Sequence, residues 1–336
     1  MTTPADIPVL EAAAVTKHFP VHGGQHRGRV VHAVENATLR LYRGRIVALV
    51  GESGSGKTTL ARLLALLYPA TGGEIRLNGQ PVRRRSARAQ RAYYRSVQLI
   101  FQDPFASLNT THRVRYILSR PLKTFASNRV KNEDIDGQVH RLLERVSLAP
   151  TTEFIDKFPY QLSGGQRQRV AIARALAANP LVLLGDEPVS MLDVSIRLDI
   201  LNLLGRLRAE EDVAILYITH DIASARYSAD EINVMYAGQL VEGGSSEAIT
   251  QAPRHPYTRL LLDASPDPDR AESDNPGGLS EDDPGEPPSL TTPPTGCRFH
   301  PRCPHAMPVC STRFPDRTDF GDGQWTHCWL YSGQPT

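Results

Sequence analysis

The run Gly51-Glu52-Ser53-Gly54-Ser55-Gly56-Lys57-Thr58-Thr59 fits the spacing G-x-x-x-x-G-K-[ST]. That pattern suits a phosphate chain. Its glycines let backbone N–H groups approach the anion, and a helix beginning there presents its positive end. Lys57 is placed to reach the β and γ phosphates, and the Thr58 hydroxyl to hold Mg²⁺. The bland alternative is a Gly-rich turn without ligand. The context disfavours it, because the apolar run RIVALV precedes the loop and the helical pattern LARLLALLY follows it. A second acidic element lies far downstream in LVLLGDE. There an apolar strand ends in Asp186, placed to hold the metal through water. Glu187 comes next and is suited to polarise an attacking water as general base. An acidic pair at a strand end means little by itself. With the phosphate cradle upstream, it reads as the second half of an ATP and Mg²⁺ site.

A different chemistry is concentrated in the tail. Cys297, Cys303, Cys310 and Cys328 are the only four cysteines of the chain. Their spacing, C-x5-C-x6-C-x17-C, is not the tight C-x2-C of most structural zinc sites. Four thiolates in a loop-rich segment can hold a [4Fe–4S] cluster. Zinc, with His300, His305 or His327 taking part, is one alternative, and reduced cysteines packed without metal are another. In each case a tail this short cannot build much of a core, and a metal would staple it.

These residues need elements to position them. The chain has 336 residues, 40% hydrophobic and 22% charged, which fits a globular protein with one large core or two smaller ones. The net charge of +2 gives no global field toward nucleic acid. No apolar run reaches membrane-spanning length, and the N-terminus lacks the pattern of a secretory signal. The expectation is a cytoplasmic chain with reduced thiols, so a cysteine cluster there binds metal more often than it forms disulfides. Strand-like runs appear at Leu10–Val15, Val30–Leu41, Arg45–Val50, Leu181–Gly185, Val213–Ile218 and Ile232–Tyr236. Alternation with helical patterns predicts a largely parallel α/β sheet. Strand signals fade after Gln102, and GQVHRLLERVSL has helical spacing, so a helical insertion is expected there. PVHGGQHRGR reads as a Gly-rich turn. Residues 266–296, Pro-rich and acidic, read as a linker or a chain draped over a partner. The basic run Arg83–Arg95 reads as a solvated helix face rather than an electrostatic patch.

Between the two halves of the ATP site lies LSGGQRQRVAIARAL. Leu162-Ser163-Gly164-Gly165-Gln166 resembles the signature of ATP-binding-cassette (ABC) ATPases. The signature begins a helix, so it forms a second anion site. The resemblance implies that two cassettes meet head to tail, each signature capping the ATP held by the other. It also implies further roles. Gln102 in IFQDP resembles the Q-loop glutamine that contacts Mg²⁺ and the attacking water and faces the membrane partner. Asp193 in SMLDVS resembles the D-loop aspartate. His220 in ITHD resembles the switch histidine at the γ-phosphate. Phe19 in VTKHFP is the candidate for stacking on adenine, against the plainer reading of a core phenylalanine. Val189 and Met191 stand where small or hydroxyl residues are frequent in the family, which implies a competent site with altered packing at the dimer seam.

The end of the cassette narrows the resemblance. YAGQLVEGGSSEAITQAPRHPYTRLLLDASP and GEPPSL…PPTGCRFHPRCP are similar to the ATP-binding subunits of oligopeptide, dipeptide and nickel importers. The implied fold is a P-loop NTPase cassette with a RecA-like α/β core, an N-terminal antiparallel β subdomain and a helical subdomain at about 103–175. Residues 1–263 would form the ATP-binding domain, and 264–336 the branch's cysteine-containing extension, where some members carry an iron–sulfur cluster. The implied partners are two permeases, a second cassette ATPase (a paralogue rather than a second copy) and, indirectly, an extracytoplasmic binding protein, with no nucleic acid. The implied place is the cytoplasmic face of the cell membrane. Peptides are the expected cargo, with nickel or another small solute as the alternative. A soluble cassette ATPase is the rival class, and the single cassette and short helical insertion argue against it.

Overall fold

The computed structural model describes residues 7–21, 28–83, 86–125, 135–264 and 285–332. In chain order the strands are β1 (Leu10–Pro20), β2 (Val30–Leu41), β3 (Ile46–Val50), β4 (Gly72–Leu77), β5 (Gln80–Pro81), β6 (Val97–Ile100), β7 (Val182–Asp186), β8 (Ala214–Thr219), β9 (Glu231–Tyr236), β10 (Gln239–Ser245), β11 (Thr318–Asp319) and β12 (Trp325–Thr326). The helices are α1 (Lys57–Leu64), α2 (Ala87–Ser96), α3 (Pro104–Ser107), α4 (Val114–Phe125), α5 (Ile135–Arg145), α6 (Gly164–Leu176), α7 (Val194–Glu211), α8 (Ile222–Ser228), α9 (Ser246–Gln251) and α10 (Pro256–Asp263).

The larger sheet runs β11-β12-β10-β9-β3-β8-β7-β6. Its segment from β9 to β6 is parallel. Strands β3, β7 and β8 are buried along their whole length, as central parallel strands covered on both faces must be. The pleat then sorts side chains by parity. Ile46, Ala48 and Val50 join a core with the helical insertion, α6 and α7, while Val47 and Leu49 face a second core with α1 and the antiparallel sheet. That antiparallel sheet has the order β2-β1-β4-β5. The helical insertion between β6 and β7 spans α3 to α6, Pro104 to Leu176. In α2 Tyr93 turns inward while most other side chains are exposed, which agrees with a solvated basic face.

Two expectations need adjusting. Strand β1 continues past Val15 to Pro20, bulging at positive-φ Ala14 and regaining its pairing through Phe19 and Val31. The tail has more support than its length suggests, because β12 pairs antiparallel with β10 and so extends the main sheet. Cys297, Phe299 and Cys310 are buried in the same core as the sheet. Two-residue strands leave no alternation to read, so this graft is not legible in sequence. Residues 22–27 of the Gly-rich turn and 265–284 of the acidic Pro-rich segment lie outside the described residues. Where that segment is described it follows β2, with His32 N donating to Leu290 O at 2.8 Å.

Candidate nucleotide site and the cysteine cavity

The phosphate loop leaves the carboxyl end of β3 and enters α1, the place where open α/β sheets take their ligands. Gly56 has φ +106° and begins α1 without a side-chain cap, so the first N–H groups of the helix face the loop. A Cβ at Gly56 would stand 2.3 Å from Ala33 O, so only glycine fits between the loop and β2. Lys57 is buried and curls back, donating from Nζ to Gly51 O at 2.7 Å and Glu52 O at 2.8 Å. Burial pulls its ammonium below the usual lysine range, against the pull of Glu187, Asp186 and Glu52. The Ser55 hydroxyl is buried with no hydrogen-bond partner. An orphan hydroxyl beside an uncapped helix start and a buried ammonium is a donor set that fits phosphate. Ser53 and Gly54 stand exposed on the loop, and Thr59 lies in the first turn of α1.

The acidic half comes from neighbouring parallel strands. Thr58 Oγ1 donates to Asp186 Oδ1 at 2.8 Å, joining the two halves of the expected Mg²⁺ site. Burial raises the Asp186 carboxyl, and the Thr58 hydrogen bond opposes the rise. Glu187 follows at φ +47°, a left-handed conformation unusual for a side-chain-bearing residue. Its N–H donates to Ile218 O at 3.1 Å, and the Ser190 hydroxyl donates to its carbonyl at 3.1 Å. Gln102, just beyond β6, donates from Nε2 to Glu187 Oε2 at 3.0 Å. His220, just beyond β8, holds Nδ1 3.6 Å from the same oxygen. Gln102, Glu187 and His220 are thus brought together, beside the Thr58–Asp186 pair. A carboxylate oriented by an amide and an imidazole is placed to take a proton from water.

The signature begins α6. Ser163 is its N-cap in a reciprocal box, with Gln166 N donating to Ser163 Oγ at 3.3 Å and Ser163 N donating to Gln166 Oε1 at 3.0 Å. Leu162 is buried and Ser163 exposed. Gly164 and Gly165 pack under the D-loop side; a Cβ on Gly165 would meet Ile196 Cγ2 at 2.5 Å. Asp193, exposed, is the N-cap of α7. Val189 is buried, whereas Met191 is 57% exposed. Phe19 is half-buried, its ring 5.3 Å from Tyr68 edge to face and under Lys17 Nζ at 4.7 Å.

The family models agree with this geometry. "ABC transporter" matches residues 34–190, and "Oligopeptide/dipeptide transporter, C-terminal region" matches residues 241–310. The oligopeptide transport ATP-binding protein AppF of Bacillus subtilis is 38% identical over 338 residues, covering 99% of this chain and 100% of AppF. The dipeptide transport ATP-binding protein DppF of Escherichia coli is 40% identical over 325 residues, covering 96% and 94%. This chain belongs to the ABC transporter ATPases, in the branch of the oligopeptide and dipeptide transport ATP-binding proteins. Among solved structures, the ATP-binding cassette MJ0796, as a dimer in a post-hydrolysis state bound to ADP and Pi, superposes with a TM-score of 0.62 at 28% identity, covering 70% of this chain and 98% of that one. The α/β cassette and its ATP chemistry are those of the family. No helix among the described residues is long and apolar enough to cross a membrane.

In this ABC ATPase the four tail cysteines line one small cavity with Phe299, Met307 and Trp329, and none is in a disulfide. No three of their sulfurs lie within 4.8 Å of one another. One tetrahedral zinc would bring thiolates to about 3.8 Å, given Zn–S bonds of about 2.3 Å. Burial pushes Cys297 up to about 12 and Cys328 up to about 11, and raises Cys303 as well, so a cation must compensate any thiolate set there. His300 and His305 also line the cavity, while His327 is turned to Pro315 O through Nδ1 at 2.9 Å. Among the described residues the one His/Cys/Asp/Glu group with close ligand spacing is elsewhere: His18, His32 and Glu35. Sequence reading missed it, since residues of two different strands, one of them beside Phe19 in VTKHFP, meet only through the pairing of β1 with β2. There Glu35 Oε2 is already shared by His18 at 3.0 Å, His32 at 3.3 Å and Arg298 Nη2 at 3.1 Å.

Proposed function

We propose that this ATPase is one of two ATP-binding subunits driving import of di- and oligopeptides through a pair of permeases. It would work at the cytoplasmic face of the cell membrane, beside a paralogous ATPase and fed by an extracytoplasmic binding protein. The observation that carries the reading is likeness along nearly the whole chain, tail included, to relatives named for oligopeptide and dipeptide transport. In this reading residues 1–263 are the ATP-binding domain and 264–336 the extension.

ATP would lie on the uncapped start of α1, with Ser53, Ser55 and the loop amides on its phosphates and Phe19 on its adenine. Lys57 would leave the carbonyls of Gly51 and Glu52 for the β and γ phosphates. Thr58, Asp186 and Gln102 would hold Mg²⁺. Glu187 takes the proton of the attacking water, oriented by Gln102 and His220. The signature Leu162–Gln166 and Asp193 would meet ATP held by the partner cassette. Exposed Met191 and Val194, flanking Asp193, support a partner covering this face. A groove lined by His112, Arg113, Tyr116 and Phe158 in the helical insertion supports docking of a permease on that insertion. ATP would favour the closed dimer by differential contact, and hydrolysis would release it.

Cys297, Cys303, Cys310 and Cys328 would hold a [4Fe–4S] cluster, whose contribution is to staple the tail. The cavity that the four cysteines share supports a common bound group.

The test is anaerobic purification of the tagged chain from its own membranes, with identification of co-purifying proteins and an absorption spectrum. Two permeases and a second ATPase, with peptide-stimulated ATP hydrolysis after reconstitution, are expected together with a broad band near 400 nm. A chain recovered alone or on nucleic acid overturns the importer reading. Permeases with bound zinc and no such band overturn only the cluster.

A further inference from the structure

The extension touches the phosphate loop directly. Arg302 Nη1 lies 3.1 Å from both carboxylate oxygens of Glu52, the second residue of the loop, and donates to Tyr236 OH at 3.2 Å. Both partners are well covered, with Arg302 10% and Glu52 25% exposed. Glu52 is also fixed through its backbone: its N–H donates to Tyr257 OH at 2.9 Å, and its carbonyl accepts from Lys57 Nζ. Phe299 packs against Tyr236 and Tyr257, so an aromatic joint backs the same contact. Arg302 stands on a short turn, His300–Arg302, held between two cysteines: His300 N donates to Cys297 O, and Cys303 N to His300 O. A second strut from the same segment, Arg298, donates to Ala237 O and reaches Glu35 on β2, beside the strand residue Ala33 that crowds Gly56.

An acidic residue in a loop built for ATP is a liability. Its charge repels the phosphates and competes for Lys57, which it stabilises as a cation. Arg302 neutralises that carboxylate and turns it away from solvent. We propose that Arg302 is a positioning residue for the phosphate loop, so that the cysteine-bound turn sets how tightly this cassette holds ATP. The inference rests on the nucleotide reading above. It gives the extension a role inside the ATP cycle, beyond stapling the tail.

The experiment is calorimetric titration of the full-length chain with ATP and Mg²⁺, paired with steady-state hydrolysis and thermal unfolding. Arg302→Gln should raise Kd and KM about tenfold, the loss expected of one well-covered charge contact, and leave kcat within about threefold. Arg302→Lys, which keeps the charge, should bind within about threefold of the parent. The double variant Glu52→Gln/Arg302→Gln should recover most of the affinity, because the repelling carboxylate is gone. Cys297→Ser/Cys303→Ser should weaken ATP as Arg302→Gln does. Unchanged affinity in a folded Arg302→Gln overturns the proposal. So does a loss that Glu52→Gln fails to restore, since that marks a purely structural contact. A parent chain that binds no ATP overturns the nucleotide reading, and this inference with it.

Discussion

The two helix starts proposed above as cradles for phosphate, at α1 and α6, are built from the same element and differ in how they are capped. At α1 the N-cap is Gly56, no side chain caps the helix, and Lys57 and Ser55 are buried in the loop. At α6 the N-cap Ser163 is exposed and closed on itself through Gln166. The first cradle keeps Lys57 on its own loop carbonyls, leaves the Ser55 hydroxyl without a partner and lies against β2. The second satisfies its own backbone and faces outward. A helix start that needs no ligand to be stable can wait on a surface. One that leaves a buried hydroxyl without a partner is completed by binding. On the proposed function the difference is a division of labour: the α1 cradle would hold ATP by itself, and the α6 cradle would add contacts when another cassette presents one.

The largest effect that sharpens this comparison comes from Glu187→Gln. It removes the proton acceptor and touches neither cradle, so ATP hydrolysis should fall about 10²–10⁴-fold. ATP-dependent dimers should then accumulate, measured by size-exclusion chromatography with and without ATP. Hydrolysis near the parent rate would move the base elsewhere. Next, Lys57→Ala should weaken ATP binding about 10–100-fold on the isolated chain, as expected for losing a charged phosphate contact. Ser163→Ala should separate the cradles. Equilibrium ATP binding by the monomer should stay within about twofold, while hydrolysis by the dimer drops about tenfold with the loss of one polar contact at the γ-phosphate. Equal losses of monomer binding in both variants would break the comparison.

What could be read beforehand follows the same line. The α1 cradle is contiguous: nine residues, a strand before and a helix after, carry its whole logic. The strand end bearing Asp186 and Glu187 is a local pattern too, Gln102 and His220 come from the family resemblance, and the parallel sheet expected from alternation is the one observed. Hidden from sequence were contacts that only folding makes. Arg302 and Glu52 lie 250 positions apart, and neither type announces the other. The left-handed backbone of Glu187 follows from its N–H being drawn to Ile218 O across the sheet, which no propensity reports. The pairing of β10 with β12 rests on two residue pairs, too few for a pattern. Phe19 was found by resemblance, and its ring is held by Tyr68 and Lys17, partners from the turn after α1 and from its own strand.

The smallest effect concerns what stands behind the first cradle and not the second. Tyr257, whose hydroxyl receives Glu52 N–H, belongs to α10, and His255 caps that helix by accepting from Tyr257 N at 3.1 Å through Nδ1. Burial, and then the nearby His327, pull His255 down to about 3. A base with a depressed pKa gives stability that is whole above its ordinary value near 6.5 and is lost as pH falls toward 3, because the unfolded chain takes the proton first. His255→Asn keeps a cap acceptor and cannot titrate there. Thermal unfolding of the full-length chain at pH 7 and pH 5 should therefore show a smaller acid-induced drop in the variant. ATP affinity should follow the same order, since the joint that His255 caps also holds the backbone of Glu52. A drop of equal size in both proteins would mean that the acid-sensitive support of the phosphate loop lies in other groups, and that the joint behind Glu52 tolerates a charged His255.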